Sequence, residues 1–182
     1  MKIKGVGKHK EVLHFAKYIK SIVYGGLDGI ITTFAVVAGV AGASLSASIV
    51  LILGFANLFA DGISMAAGDY LSTKSEMESH KNKRLFKRFI IRKFVGIDED
   101  KSPFKSAFMT FISFLIFGFI PLFAYVLQLF ISIENVFLIS IVLTLIALFI
   151  LGCLKSKVTG KNLFYSGLET LIIGGVAAGV AY

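Results

Sequence analysis

The chain has a single cysteine among 182 residues. Cys153 therefore has no internal partner for a disulfide and no companions for a cysteine zinc cluster, which leaves the sequence without a redox signal. The three histidines, His9, His14 and His80, stand at no metal-ligand spacing and read as surface residues. No cleavable leader is expected, because about twenty polar or mixed residues precede a first apolar run too long for the apolar part of a signal peptide. No internal repeat is visible, so an inverted-repeat transporter layout has no support in the sequence. Polar stretches long enough for a separate soluble domain are missing as well.

What fills the chain instead is apolar. Hydrophobic residues make up 56% of it, and the mean hydropathy is +0.83, more apolar surface than one soluble domain of this size can bury. Apolar segments lie near residues 22–43, 46–71, 104–127, 133–154 and 163–182. Each has the roughly 20 residues that cross a hydrocarbon core as a helix, and helix is required because backbone polar groups in lipid must bond within their own segment. The sequence thus predicts an all-α polytopic protein, a single membrane domain over residues 1–182 with five transmembrane helices. Residues 1–21 read as a basic amphipathic lead-in at the cytosolic interface, with Val12, Leu13, Phe15, Ala16 and Ile19 interleaved among polar residues. Residues 72–103 read as a short basic cytosolic helical segment, with Leu85, Phe86, Phe89, Ile90 and Phe94 at helical spacing.

Charge placement orients this scheme. Of nineteen Lys and Arg residues, six fall in 1–20, ten in 74–105, and three at Lys155, Lys157 and Lys161. The connections at 43–47 and 128–135 carry none. Since basic residues gather on the cytoplasmic side of short loops, the N-terminus is expected in the cytoplasm and the C-terminus outside. The net charge of +8 then serves the lipid bilayer, where juxtamembrane Lys and Arg meet anionic headgroups. No nucleic-acid partner is expected, because the aromatics that could stack on bases lie in the apolar runs.

The texture of the spans differs. The first two are rich in Gly, Ala, Ser and Thr, whereas 104–154 is dominated by Phe, Leu and Ile. Small residues let helix backbones approach, so the first, second and fifth spans are expected to form the packed interior and the third and fourth to face lipid. Gly25 with Gly29, and Gly175 with Gly179, match the G-x-x-x-G pattern of close helix packing. Pro121 reads as a tolerated kink.

Charged residues inside the spans are the functional candidates, because each is costly at bilayer depth. They are Asp28, Asp61, Asp69 and Glu169. Asp61, Ser64, Met65, Gly68, Asp69 and Ser72 share a broad face of the second span, with Asn57 one turn before. At about 1.5 Å per residue, Asp28, Met65 and Glu169 should sit at one level, with Asp61 a turn deeper and Asp69 near the cytoplasmic mouth. Carboxylates with a thioether suit a divalent transition metal, since soft sulfur favours late metals over Mg²⁺ or Ca²⁺.

The residues resemble a known family. Gly26-Leu27-Asp28-Gly29 followed by Thr32-Thr33-Phe34-Ala35-Val36-Val37-Ala38-Gly39-Val40-Ala41-Gly42-Ala43 is similar to the first span of the vacuolar iron transporter family. The run Ala60-Asp61-Gly62-Ile63-Ser64-Met65-Ala66-Ala67-Gly68-Asp69-Tyr70-Leu71-Ser72-Thr73-Lys74-Ser75-Glu76 resembles its second span. Gly118-Phe119-Ile120-Pro121-Leu122 and Ser166-Gly167-Leu168-Glu169 resemble later parts, in the same order. The resemblance implies a homodimer of five-span subunits that moves cytosolic Fe²⁺, or Mn²⁺, in exchange for protons. It implies no permanently bound cofactor, with Asp28 and Met65 at the intramembrane metal positions. Asp61 and Glu169 join them as metal or proton-coupling candidates, since a carboxylate near a metal exchanges protons for the ion. Asp69, Glu76 and Glu78 are the candidates for the cytoplasmic mouth or for proton coupling. Plant-type members carry a longer cytosolic insert rich in Glu and Met between spans two and three. Here that region is short and basic, which limits metal capture outside the membrane.

Two other classes compete: a non-transporting structural or accessory membrane protein, and an intramembrane aspartyl protease. The second needs two facing aspartates, and Ala66-Ala67-Gly68-Asp69 superficially resembles its G-x-G-D motif. The transporter reading is preferred and no enzyme activity is expected. The compact loop and the Lys-, Ile- and Phe-rich composition favour a prokaryotic plasma membrane, with a vacuolar-type membrane as the alternative.

Overall fold

A computed structural model describes residues 6–86, 102–160 and 162–181. They form five helices: α1 (Val6–Gly42), α2 (Ala47–Phe86), α3 (Pro103–Gln128), α4 (Val136–Thr159) and α5 (Leu163–Ala181). Four of these are long and apolar enough to cross a membrane, over Tyr18–Gly42, Ala47–Ser79, Pro103–Gln128 and Val136–Ser156. The apolar part of the fifth, Leu163–Ala177, is shorter. The chain is a multi-pass helical membrane protein. Of the expected basic cytosolic segment, 72–86 continues α2 without a break, while 87–101 lies outside the described residues. Of the lead-in, residues 6–21 belong to α1, and 1–5 lie outside them.

The connections show why the helices end where they do. Between α1 and α2 the chain turns in four residues: the Ser44 N–H bonds the Ala41 carbonyl at 2.9 Å, the Leu45 N–H bonds Val40 at 3.1 Å, and Ser44 takes the left-handed conformation with φ 55°. At the end of α4, Gly160 adopts φ 66° and its N–H caps the Ser156 carbonyl at 3.0 Å. Glycine takes that conformation without the steric cost other residues meet, which makes it the usual helix stop. Pro103 stands at the start of α3, where its missing N–H leaves no helical bond unmade. Pro121 sits inside α3, and its carbonyl accepts a 2.7 Å bond from the buried Ser140 hydroxyl on α4.

The expected packing order is corrected. About twice as large a share of α3 is buried as of α2, so α3 is a central helix despite its bulky composition. The cause lies on α1. A Cβ at Gly25 would stand 2.5 Å from the Thr110 carbonyl oxygen, and one at Gly29 the same distance from that of Phe114. Gly118 faces Gly29 from the other side, 2.9 Å from its carbonyl oxygen to an added Cβ. The small face of α1 thus admits the backbone of α3, and Phe114 fills the space beside it, fully buried with Val37, Val50, Leu58 and Leu122. A second core joins Ile30 of α1 to Ala147, Leu148 and Leu151 of α4. By contrast, the small residues Ala56, Ala60, Ser64, Ala67 and Gly68 of α2 are exposed on the outside of the bundle. Helix α5 packs on α4 and α1 and does not touch α2 among the described residues.

Candidate functional site

Asp28 on α1 and Asp61 on α2 are brought close enough to act on each other electrostatically. Both are half-buried. Met65, one helical turn along α2 from Asp61, is also half-buried and packs against the core cluster that contains Phe114 and Leu58. Two facing helices thus supply two carboxylates and one thioether within the membrane-spanning region. Among the described residues no three His, Cys, Asp or Glu side chains converge, so this set is small. Carboxylates held together away from bulk water repel one another unless a cation or protons sit between them. Such a site holds positive charge and can exchange one kind for another. One turn out from Asp61, the Asn57 amide nitrogen is buried without a partner, a polar group adjoining the acidic pair.

Asp69 lies in a different setting from the open mouth expected of it. Its Oδ2 accepts hydrogen bonds from Ser106 at 2.8 Å and Thr110 at 2.7 Å, both on α3, and its Oδ1 accepts one from Thr73 at 3.4 Å. Ser106 and Thr110 are fully buried. A hydroxyl has one proton to give. Because Ser106 spends its own on Asp69, Ser21 of α1 is the donor in the 2.8 Å bond between Ser21 and Ser106. The result is one polar clasp tying α1, α2 and α3 together at the end of the bundle where the basic residues gather. Ser113 of α3 adds a 2.6 Å bond to the Ile22 carbonyl of α1. These donors were missed in the sequence, although Ser106, Thr110 and Ser113 recur at helical spacing in a run otherwise dominated by Phe, Leu and Ile. Asp69 is also the residue on which a protease reading relies, and its oxygens are engaged by hydroxyls.

Glu169 is not brought to the Asp28–Asp61 pair. It is 46% exposed and forms a 3.0 Å ion pair with Lys155 of α4, on a helix that does not meet α2. Glu76 and Glu78 are exposed on the extension of α2.

Comparison with known proteins follows the same outline. The sequence model of the VIT family matches residues 19–85 and 78–182. The chain belongs to the VIT family. VIT relatives similar to it include the vacuolar iron transporter of Plasmodium berghei, 33% identical, with 93% of this chain and 82% of the relative covered. That of Toxoplasma gondii is 32% identical over 97% and 76% of the two chains. Vacuolar iron transporter 1 of Arabidopsis thaliana is 31% identical over 96% and 88%. The first of these alignments runs over 224 positions, more than the 182 residues of this chain, so that VIT relative carries residues inside the matched stretch that are lacking here. A short form of the family fits that difference. These relatives are named for the vacuole, and the plasma-membrane expectation finds no support among them.

Proposed function

We propose that the chain transports a divalent transition metal, Fe²⁺ and secondarily Mn²⁺, out of the cytosol in exchange for protons. The observation that carries this reading is the apposition of Asp28 and Asp61 across α1 and α2, with Met65 a turn away, in a member of the VIT family. Asp28 and Met65 are the proposed metal ligands and Asp61 the carboxylate that shares the ion. Without metal the two carboxylates take up protons, and an arriving cation displaces them. Exchange at one site couples the two fluxes without a separate proton path. The thioether biases the site towards late transition metals over Mg²⁺ and Ca²⁺. Glu169, ion-paired to Lys155, stands outside the proposed ligand set. Asp69 contributes by holding α2 against α3 through its hydroxyl donors, which fixes the helix that carries Asp61 and Met65.

The proposal extends to the architecture. Five spans with the N-terminus in the cytosol place all nineteen basic residues on one side, as the positive-inside rule expects. Two subunits pairing through the exposed small residues of α2 would cover Ala56, Ala60, Ser64 and Ala67, the kind of surface that membrane helices use to associate. The experiment is reconstitution in proteoliposomes with a metal-sensitive and a pH-sensitive dye inside. Metal entry accompanied by proton exit is the expected result. Metal-independent proton movement, or none, removes the reading.

A further inference from the structure

At the basic end of the bundle, α1 and α4 do not close completely. They leave an apolar groove of about 340 Å³, at the lower end of the size that holds a small ligand. Ile19, Val23 and Leu27 form its wall on α1, spaced four residues apart along one face. Lys20 of α1 and Lys155 of α4 also border it, and Tyr24, 61% exposed, stands beside Lys20. The groove therefore has two chemistries. Its length is a hydrocarbon wall of about 10 Å, the rise of α1 from Lys20 to Leu27, and it carries two ammonium groups brought from different helices. Lys20 is exposed and holds no ion pair among the described residues, while Lys155 is shared with Glu169. Lys17, Lys157 and Lys161 lie close by in sequence, so the surroundings are positive.

The geometry points to a discrete binding site for one anionic phospholipid, its phosphate between Lys20 and Lys155 and the upper part of an acyl chain along Ile19, Val23 and Leu27. A free inorganic anion would leave the apolar wall uncovered, and a neutral lipid would leave the lysines without a counter-charge. Basic pockets between membrane helices are the usual seat of such headgroups, and a tyrosine at headgroup level is a common companion. Because the groove joins α1, which carries Asp28, to α4, the bound lipid holds together two helices on the side of α1 opposite α2. The site depends only on the protein's being in a membrane, not on what it transports.

Native mass spectrometry of the purified protein, with phosphatidylglycerol and phosphatidylcholine offered in equal amounts, tests this. One phosphatidylglycerol per chain should be retained over phosphatidylcholine. K20Q, a change at an exposed side chain, should weaken retention about five-fold, and K20Q with K155Q about thirty-fold, at the strength usual for a juxtamembrane lysine. Val23→Phe fills the groove, leaves both lysines in place, and should also displace the lipid. Millimolar glycerol phosphate should not compete. Equal retention by the wild type and K20Q overturns the proposal. Full retention by Val23→Phe overturns it too, because it would reduce the effect to surface charge. Displacement by glycerol phosphate would assign the lysines to a free phosphate instead. Metal uptake is measured in parallel, so a failure of the lipid site and a failure of transport are read separately.

Discussion

Three side chains carry the proposed chemistry, and each makes a separable contribution. Asp28 supplies charge to the site, so D28A should reduce metal uptake by more than about ten-fold, the scale seen when metal sites lose even supporting groups. Met65 offers a thioether but also packs against the core. Met65→Leu keeps volume and apolar character at little structural cost while removing the sulfur. Uptake of Fe²⁺ should fall relative to that of Mg²⁺ in a competition assay, and an unchanged ratio would show that sulfur does not ligate. Asp69 is a different case. D69A leaves three hydroxyl donors without their acceptor and should lower thermal stability by about 2 kcal/mol at the modest strength of hydrogen bonds between membrane helices. D69N keeps one acceptor oxygen and should lose less. If Asp69 positions α2 through Ser106, then S106A and D69A should be non-additive in a double-mutant cycle, in melting temperature and in uptake alike.

At the scale of helices, close approach decides the arrangement. Helix α1 meets α3 backbone to backbone at Gly25 and Gly29. Neither partner can rotate a backbone out of the way, so Gly29→Ala should cost about 3 kcal/mol by overpacking and lower the yield of folded protein. Gly175→Ala is the control, because nothing lies within 4 Å of its Cβ position, and its melting temperature should stay within about 1 °C. The existence of apolar helices was legible in the sequence, since hydrophobic run length sets it, and so was the Gly25–Gly29 face. Which helix that face would receive was not. Bulky composition in α3 pointed to lipid, but two small residues on the facing helix outweigh many large ones on its own. The same holds for the site. Asp28, Asp61 and Met65 stand out as polar residues in apolar runs, whereas the partners of Asp69 and Glu169 depend on which helices neighbour one another, information that no single span contains. Ser106 and Thr110 carried the nearest signal, two hydroxyls one turn apart.

For the molecule as a whole, the bundle divides into two sides about α1. On one side α2 and α3 hold the Asp28–Asp61 pair and the hydroxyl clasp, and on the other α4 and α5 hold the Lys155–Glu169 pair and the apolar groove. The exposed small face of α2 belongs to the first side, so association through it would place two acidic sites near one shared surface. Cysteine labelling of a C153S background should find residues 43–46 and 129–135 accessible from one side of the membrane and residue 160 from the other, as an odd number of spans with few external charges requires. The central claim is coupled transport through the acidic pair. Its most direct test is Fe²⁺ uptake into proteoliposomes with simultaneous readout of internal pH, for the wild type and for D28A. The account predicts metal entry matched by proton exit in the wild type, and neither in an inserted, folded D28A protein. Metal entry at the wild-type rate in D28A would contradict it.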